Sequence, residues 1–156
     1  MKVKRQSFVL ITAAFAAAMM LSSCTTSEKA ATSATVPAAS TTGAKTLENL
    51  QTAFDGESNA NAKYSEFAKK ADAEGYTKVA SLFRAAARAE EIHLKNHAEV
   101  IKKMGGTPKA DIKLPEIKTT AENLKAAIEG ETYERDKMYV DFLAEARNVG
   151  NKDAVR

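Results

Sequence analysis

The chain is predicted to be all-α, an up-down four-helix bundle with a long crossover after the second helix and a fourth helix cut short. Three observations predict this. Apolar residues recur at helical spacing across residues 46–74, 77–104 and 120–149. Gly75, Gly105-Gly106 and Gly150 follow those stretches, as helix stops commonly do. No segment carries the period-two alternation of a half-buried strand.

Taken in chain order, the 156 residues begin with a segment, 1–23, that reads as a leader rather than as part of the bundle. Lys2, Lys4 and Arg5 make a basic start, and Phe8 to Leu21 is a 14-residue apolar run. Such a run is too short to span a bilayer and matches a signal-peptide core. Leu21-Ser22-Ser23-Cys24 resembles the lipobox of bacterial lipoproteins, which predicts lipidation at Cys24. The protein is thus expected to be exported and membrane-anchored through that lipid alone, facing the periplasm or the cell surface. Residues 25–44 are small and polar without periodicity, so 24–45 reads as a lipidated cysteine and flexible tether.

Removing the leader changes the electrostatics. Its three basic residues account for the whole net charge of +3, and the remainder carries 20 residues of each sign. A neutral remainder gives no case for nucleic-acid binding. With the single cysteine lipidated, no thiol is left for a disulfide or an iron–sulfur cluster. Any metal must be held by oxygen and imidazole.

Thr46 is placed to cap the first helix, whose stripe is Leu47, Leu50, Phe54, Glu57, Tyr64, Phe67 and Ala71. The second runs from Thr77 with Val79, Leu82, Phe83, Ala86, Glu90, His93, His97, Val100, Ile101 and Met104 on one face. Two glycines and two prolines keep residues 105–119 out of a helix, which leaves a long connection by bundle standards. Thr119-x-x-Glu122 is a capping box that opens the third helix, with Leu124, Ala127, Ile128, Glu131, Glu134, Met138, Phe142 and Glu145 as its stripe. Asn151 to Arg156 reads as an N-cap and the first turn of a fourth helix. Three helices alone leave one side of a core open, so more chain or a partner chain is expected to cover it.

Five of these stripe positions break the rule that a core-facing stripe is apolar. They are Glu57, the pair Glu90-x-x-His93 and the pair Glu131-x-x-Glu134, on three different helices. A buried carboxylate costs several kcal/mol unless it is paired. Residues three apart project from one face of a turn, so each pair offers two ligands in one direction. Carboxylates with one imidazole suit iron or manganese, and the charge of four glutamates matches two divalent ions. His97 shares the stripe one turn beyond His93 and reads as a satisfied histidine rather than a ligand.

The run Phe54-Asp55-Gly56-Glu57-Ser58, then Tyr64 and Phe67-Ala68-Lys69-Lys70, resembles rubrerythrin. So do Glu90-Glu91-Ile92-His93 and Gly130-Glu131-Thr132-Tyr133-Glu134 with Met138-Tyr139, so the similarity covers about residues 46–156. The resemblance implies a ferritin-like bundle holding two non-haem iron ions, with manganese or a mixed pair as the variant, and reduction of hydrogen peroxide to water. It implies Glu57, Glu90, His93, Glu131 and Glu134 as ligands, with Glu134 and His93 as the pair that exchanges on one iron with redox state. Tyr64 and Tyr139 match tyrosines that hydrogen-bond to ligand carboxylates.

The family's closing Glu-x-x-His would fall roughly ten residues beyond Arg156. Without the four-cysteine rubredoxin module of the familiar family members, electrons are expected from a separate, rubredoxin-like donor. A homodimer is expected, and the 105–119 connection would permit helix exchange. The competing expectation is an iron-binding, ferroxidase or storage module without peroxidase turnover, or an inactive truncated form.

Overall fold

The computed structural model describes residues 41–156, and the predicted leader, Cys24 and most of the tether lie outside the described residues. The elements are α1 (Thr41–Ala73), α2 (Thr77–Lys103), α3 (Thr120–Tyr133), a π-helical segment (Glu134–Met138) and α4 (Tyr139–Asn148). Among the described residues there is no strand, and no helix is long and apolar enough to cross a membrane. The all-α bundle with a long crossover after the second helix is as the sequence predicts.

α1 and α2 form an antiparallel hairpin. Its register is read from Asp72 against Arg84, Asn61 against Ala87 and Glu57 against His93. Small residues make the seam, with Ala53, Ala60, Ala68, Ala71, Ala80 and Ala87 all buried. The turn between the helices closes on Gly75, at φ 81°, where an L side chain would be strained. Tyr76 N–H donates to Ala71 O at 2.8 Å and Gly75 N–H to Asp72 O at 3.0 Å, which satisfies carbonyls the ended helix would otherwise leave free.

α1 starts at Thr41, so Thr46 is not its cap but an interior residue, 2% exposed. α1 packs on α4 here, with Thr46, Leu50 and Ala53 facing Phe142, Leu143 and Ala146 across a small void, and tertiary packing supports a helix beyond its local cap signal.

The crossover is an extended strap laid along α1. Gln51 donates to Lys109 O, Asp55 Oδ1 accepts from Asp111 N–H at 2.7 Å, and Asn59 Oδ1 accepts from Lys113 N–H at 2.7 Å. Four helical residues rise about 6 Å and two extended residues about 6.7 Å, so the two ladders stay in step. Gly106 begins the strap because a Cβ there would stand 2.9 Å from both Leu47 Cδ1 and Ile101 Cγ2. Farther along, Ile117 is laid onto the core.

The capping box forms as expected, with Thr119 and Glu122 bonded reciprocally. Glu74 adds a tie across the bundle, accepting from Thr120 N–H at 2.9 Å while pairing with Lys70 at 3.0 Å. That arrangement holds its carboxyl down at about 2.

Three further expectations are corrected. The third helix is not a uniform α-helix over 120–149, because the π segment interrupts it where Tyr139 N–H donates to Glu134 O. Leu82 and Ile128, read as core, are 58% and 64% exposed. The other helices pack mainly on α1, and nothing among the described residues covers those two side chains. Residues 152–155 form a turn rather than a helix, although Asn151 Oδ1 accepts from Ala154 N–H at 3.0 Å as an N-cap does.

Candidate metal centre

Directly along the hairpin from Phe67 and Phe83, the packing changes from aromatic to acidic. Glu57 of α1 is 1% exposed and Glu90 of α2 is 4% exposed. His93 Nδ1 lies 2.8 Å from Glu90 Oε2 and 3.7 Å from Glu57 Oε2. One ligand atom from each of these three residues falls within 4.8 Å of the others, a spacing that fits a shared cation. His93 is half-exposed, so it closes the cluster on the solvent side.

The third helical rod brings the remaining acids. Glu131 Oε1 accepts from the Tyr64 hydroxyl at 2.5 Å, which links α3 to α1 beside the cluster. Glu134 is half-buried at the first residue of the π segment. Neither is neutralised by its basic neighbours in sequence, since Arg135 pairs with Asp136 and Lys137 with Asp141. The wider π turn stacks Tyr139 N–H over Glu134 O and so returns Tyr139 to the face that meets α1. The Tyr139 hydroxyl donates to Glu57 Oε1.

Electrostatics report the strain of collecting these groups. Burial, and then the neighbouring Glu90 carboxyl, push Glu57 up to about 7. Burial, followed by the charges of Glu57 and Glu131, pushes Glu134 up to about 7 as well. Glu90 is raised by burial. The two tyrosine hydroxyls are held as donors, raised by burial and by the carboxylates that accept from them. Lys63, its Nζ 4.7 Å from the centre of the Tyr64 ring, opposes the rise of Glu90 and Glu134.

The structure therefore gathers Glu57, Glu90 and His93 in one ligand cluster and ties Glu131 to it through Tyr64. Glu134 is linked to it by charge. One oxygen, Glu57 Oε2, is buried without a hydrogen-bond partner. A side chain that sequence reasoning set aside also enters: His97 Nε2 is 3.0 Å from the Tyr139 hydroxyl and 3.9 Å from Glu57 Oε1. Its spacing of four from His93 was the available signal, since such residues share a helix face. The π segment had no comparable signal. A cleft of about 500 Å³, lined by Glu57, His93, His97 and Tyr139 among others, opens beside the cluster.

The rubrerythrin family model matches residues 48–156. Nigerythrin from Nitratidesulfovibrio vulgaris is 40% identical over 121 residues, which cover 77% of this chain and 60% of that protein. Rubrerythrin from Porphyromonas gingivalis is 37% identical over 113 residues, 71% of this chain and 56% of that one. A solved structure of nigerythrin in its fully reduced, all-ferrous state matches with a TM-score of 0.67 at 39% identity, covering 70% of this chain and 55% of its own. This chain thus spans little more than half the length of the relatives it matches. With matched helices, the match over nearly all the described residues makes the chain a member of the rubrerythrin family.

Proposed function

We propose that this protein is a non-haem di-iron oxidoreductase that reduces hydrogen peroxide to water. The observation that carries the reading is Glu57 Oε2, an acid oxygen buried without a partner between a second buried carboxylate and an imidazole. A chain that needed no cation there would place a leucine at that position, because an unpaired buried charge is costly. Two clustered carboxylates and an imidazole, with two more glutamates alongside, fit iron and also accept manganese.

Glu57, Glu90, His93, Glu131 and Glu134 would hold the metals. Two ferrous ions bound there would supply two electrons and Lewis acidity to the peroxide bond. The rest belongs to the chain. Tyr64 and Tyr139 fix the orientation of Glu131 and Glu57 through hydroxyls that stay protonated at neutral pH. Phe67, Phe83 and the alanine seam exclude water from one side, and the cleft admits a molecule as small as peroxide from another. Electrons come from a separate donor of rubredoxin type, and two copies of the chain pair as a homodimer. Export and lipid anchoring at Cys24 would place this chemistry at a membrane surface outside the cytoplasm.

The test loads the full chain with Fe(II) under anaerobic conditions and then adds peroxide. Two-electron oxidation per iron pair, faster than with air, supports the reading. Uptake of many irons per chain in a large hollow particle would instead favour storage, and no reaction, or Fenton-type damage, would sink the peroxidase.

A further inference from the structure

His97 is held more closely than a side chain that merely fills space. Its ring is stacked on Tyr139, with centroids 6.0 Å apart and planes 23° from parallel. Its Nε2 is at hydrogen-bond distance, 3.0 Å, from the Tyr139 oxygen. A phenol has one proton, and Tyr139 directs it to Glu57 Oε1. With that proton committed, the phenol oxygen can only accept at its other contact, so His97 supplies Nε2–H.

We propose that His97 is a positioning residue of the metal centre: it locks the Tyr139 hydroxyl onto Glu57 Oε1 and so leaves Glu57 Oε2 turned toward Glu90 and His93. This rests on the di-iron reading for its consequence, though the geometry stands without it. The chain of contacts runs from α2 through α4 to α1 and back to the cluster. His97, Tyr139 and Glu57 all line one cleft that is open to water. Removing the imidazole exposes the phenol oxygen to that water, which competes for its proton. Glu57 is then free to rotate both oxygens away from the ligand position. Partners that orient a ligand from outside the coordination sphere typically govern metal affinity by about 10–100-fold.

The experiment compares the full chain with His97→Phe, which fills the space without a donor, and His97→Gln, which keeps an N–H. Each is also made in a Tyr139→Phe background. Two readouts are taken: anaerobic Fe(II) affinity, and the resonance of ¹³C-labelled tyrosine Cζ in the metal-free chain, with Tyr139 assigned by its loss in Tyr139→Phe. His97→Phe should shift the Tyr139 resonance and weaken Fe(II) binding about tenfold or more, and His97→Gln should recover most of both. In the Tyr139→Phe background, His97→Phe should change affinity by no more than about twofold. An unmoved Tyr139 resonance, or an equal loss of affinity with and without the tyrosine hydroxyl, overturns the proposal. Failure of the unsubstituted chain to bind Fe(II) is a different result: it removes the di-iron reading, and the resonance still decides whether His97 holds Tyr139.

Discussion

Around Phe67 and Phe83, α1 and α2 meet through rings and alanines, with Phe67 edge-on to Phe83 at 5.3 Å and Tyr64 stacked on Phe83 at 6.1 Å. Around Glu57 and Glu90 the same two helices meet through carboxylates. The acid that lies near the aromatic end, Glu74, is answered within the chain by Lys70 and by the Thr120 N–H. Glu57 has one oxygen bonded by Tyr139 and one that receives no hydrogen bond from the described residues, its nearest imidazole nitrogen standing 3.7 Å away on His93. One hairpin thus contains a closed region, whose acid is paired within the chain, and an open one, whose buried acid is left one hydrogen bond short. The first should carry stability and the second should carry metal affinity, and substitutions can separate the two.

The largest effect is expected at the closed region. Phe67→Ala should cost about 3–5 kcal/mol of stability in denaturant unfolding, since it empties a ring-sized volume in a packed core. Whatever remains folded should still bind Fe(II) at the same stoichiometry. Loss of metal binding from fully folded Phe67→Ala would show that the two regions are not separable.

Glu57→Leu should do the reverse. It is expected to abolish tight Fe(II) binding while stabilising the metal-free chain by roughly 1 kcal/mol or more, because an apolar side chain of similar size replaces a desolvated acid. A metal-free Glu57→Leu chain less stable than the parent would mean that the carboxyl is needed for the fold itself.

The same contrast sets the pH dependence. Glu57 and Glu134 are raised from the usual 4.5 to about 7, so between those values the folded chain binds more protons than the unfolded one. Stability of the chelator-treated protein should therefore fall as pH rises from about 4.5 to about 7 and level off above. Glu74 has the opposite sign: lowered to about 2, it stabilises the fold above the usual 4.5 and is lost as pH falls toward 2. Denaturant midpoints measured from pH 3 to 8 should show a maximum on the acid side of neutrality in the parent, and a shallower decline toward pH 8 in Glu57→Leu. Ferrous iron added at pH 7.5 should restore the parent's loss and leave Glu57→Leu unchanged.

The smallest effect is expected at the helix start. Thr119→Ala should cost about 1 kcal/mol by removing the capping bond to Glu122 N–H, with no change in Fe(II) affinity.

Much of this was legible from the residues. Gly75 stops α1 because it takes a left-handed conformation, and Thr119 with Glu122 opens α3 by bonds confined to four residues. The acids on the apolar stripes were equally readable, since helical spacing alone puts Glu90 with His93 and Glu131 with Glu134. Thr46 misled because a good capping residue also tolerates a helix interior once packing against α4 holds it there. Leu82 and Ile128 misled because a stripe shows which residues share a face, not whether anything covers that face. His97 was placed on the right face, but its partner Tyr139 lies on another helix, beyond the reach of any spacing rule.

The sequence by itself determined the helices, their stops, the crossover and the set of acids, because each depends on backbone conformation and bonds spanning a few residues. Tertiary structure alone decided that Glu57, Glu90 and His93 stand at one depth, that a π turn aims Tyr139 at Glu57, and that one oxygen of Glu57 is left over. Those facts are distances between residues far apart in the chain, set by how alanine seams and aromatic rings let the helices approach. No local rule specifies them.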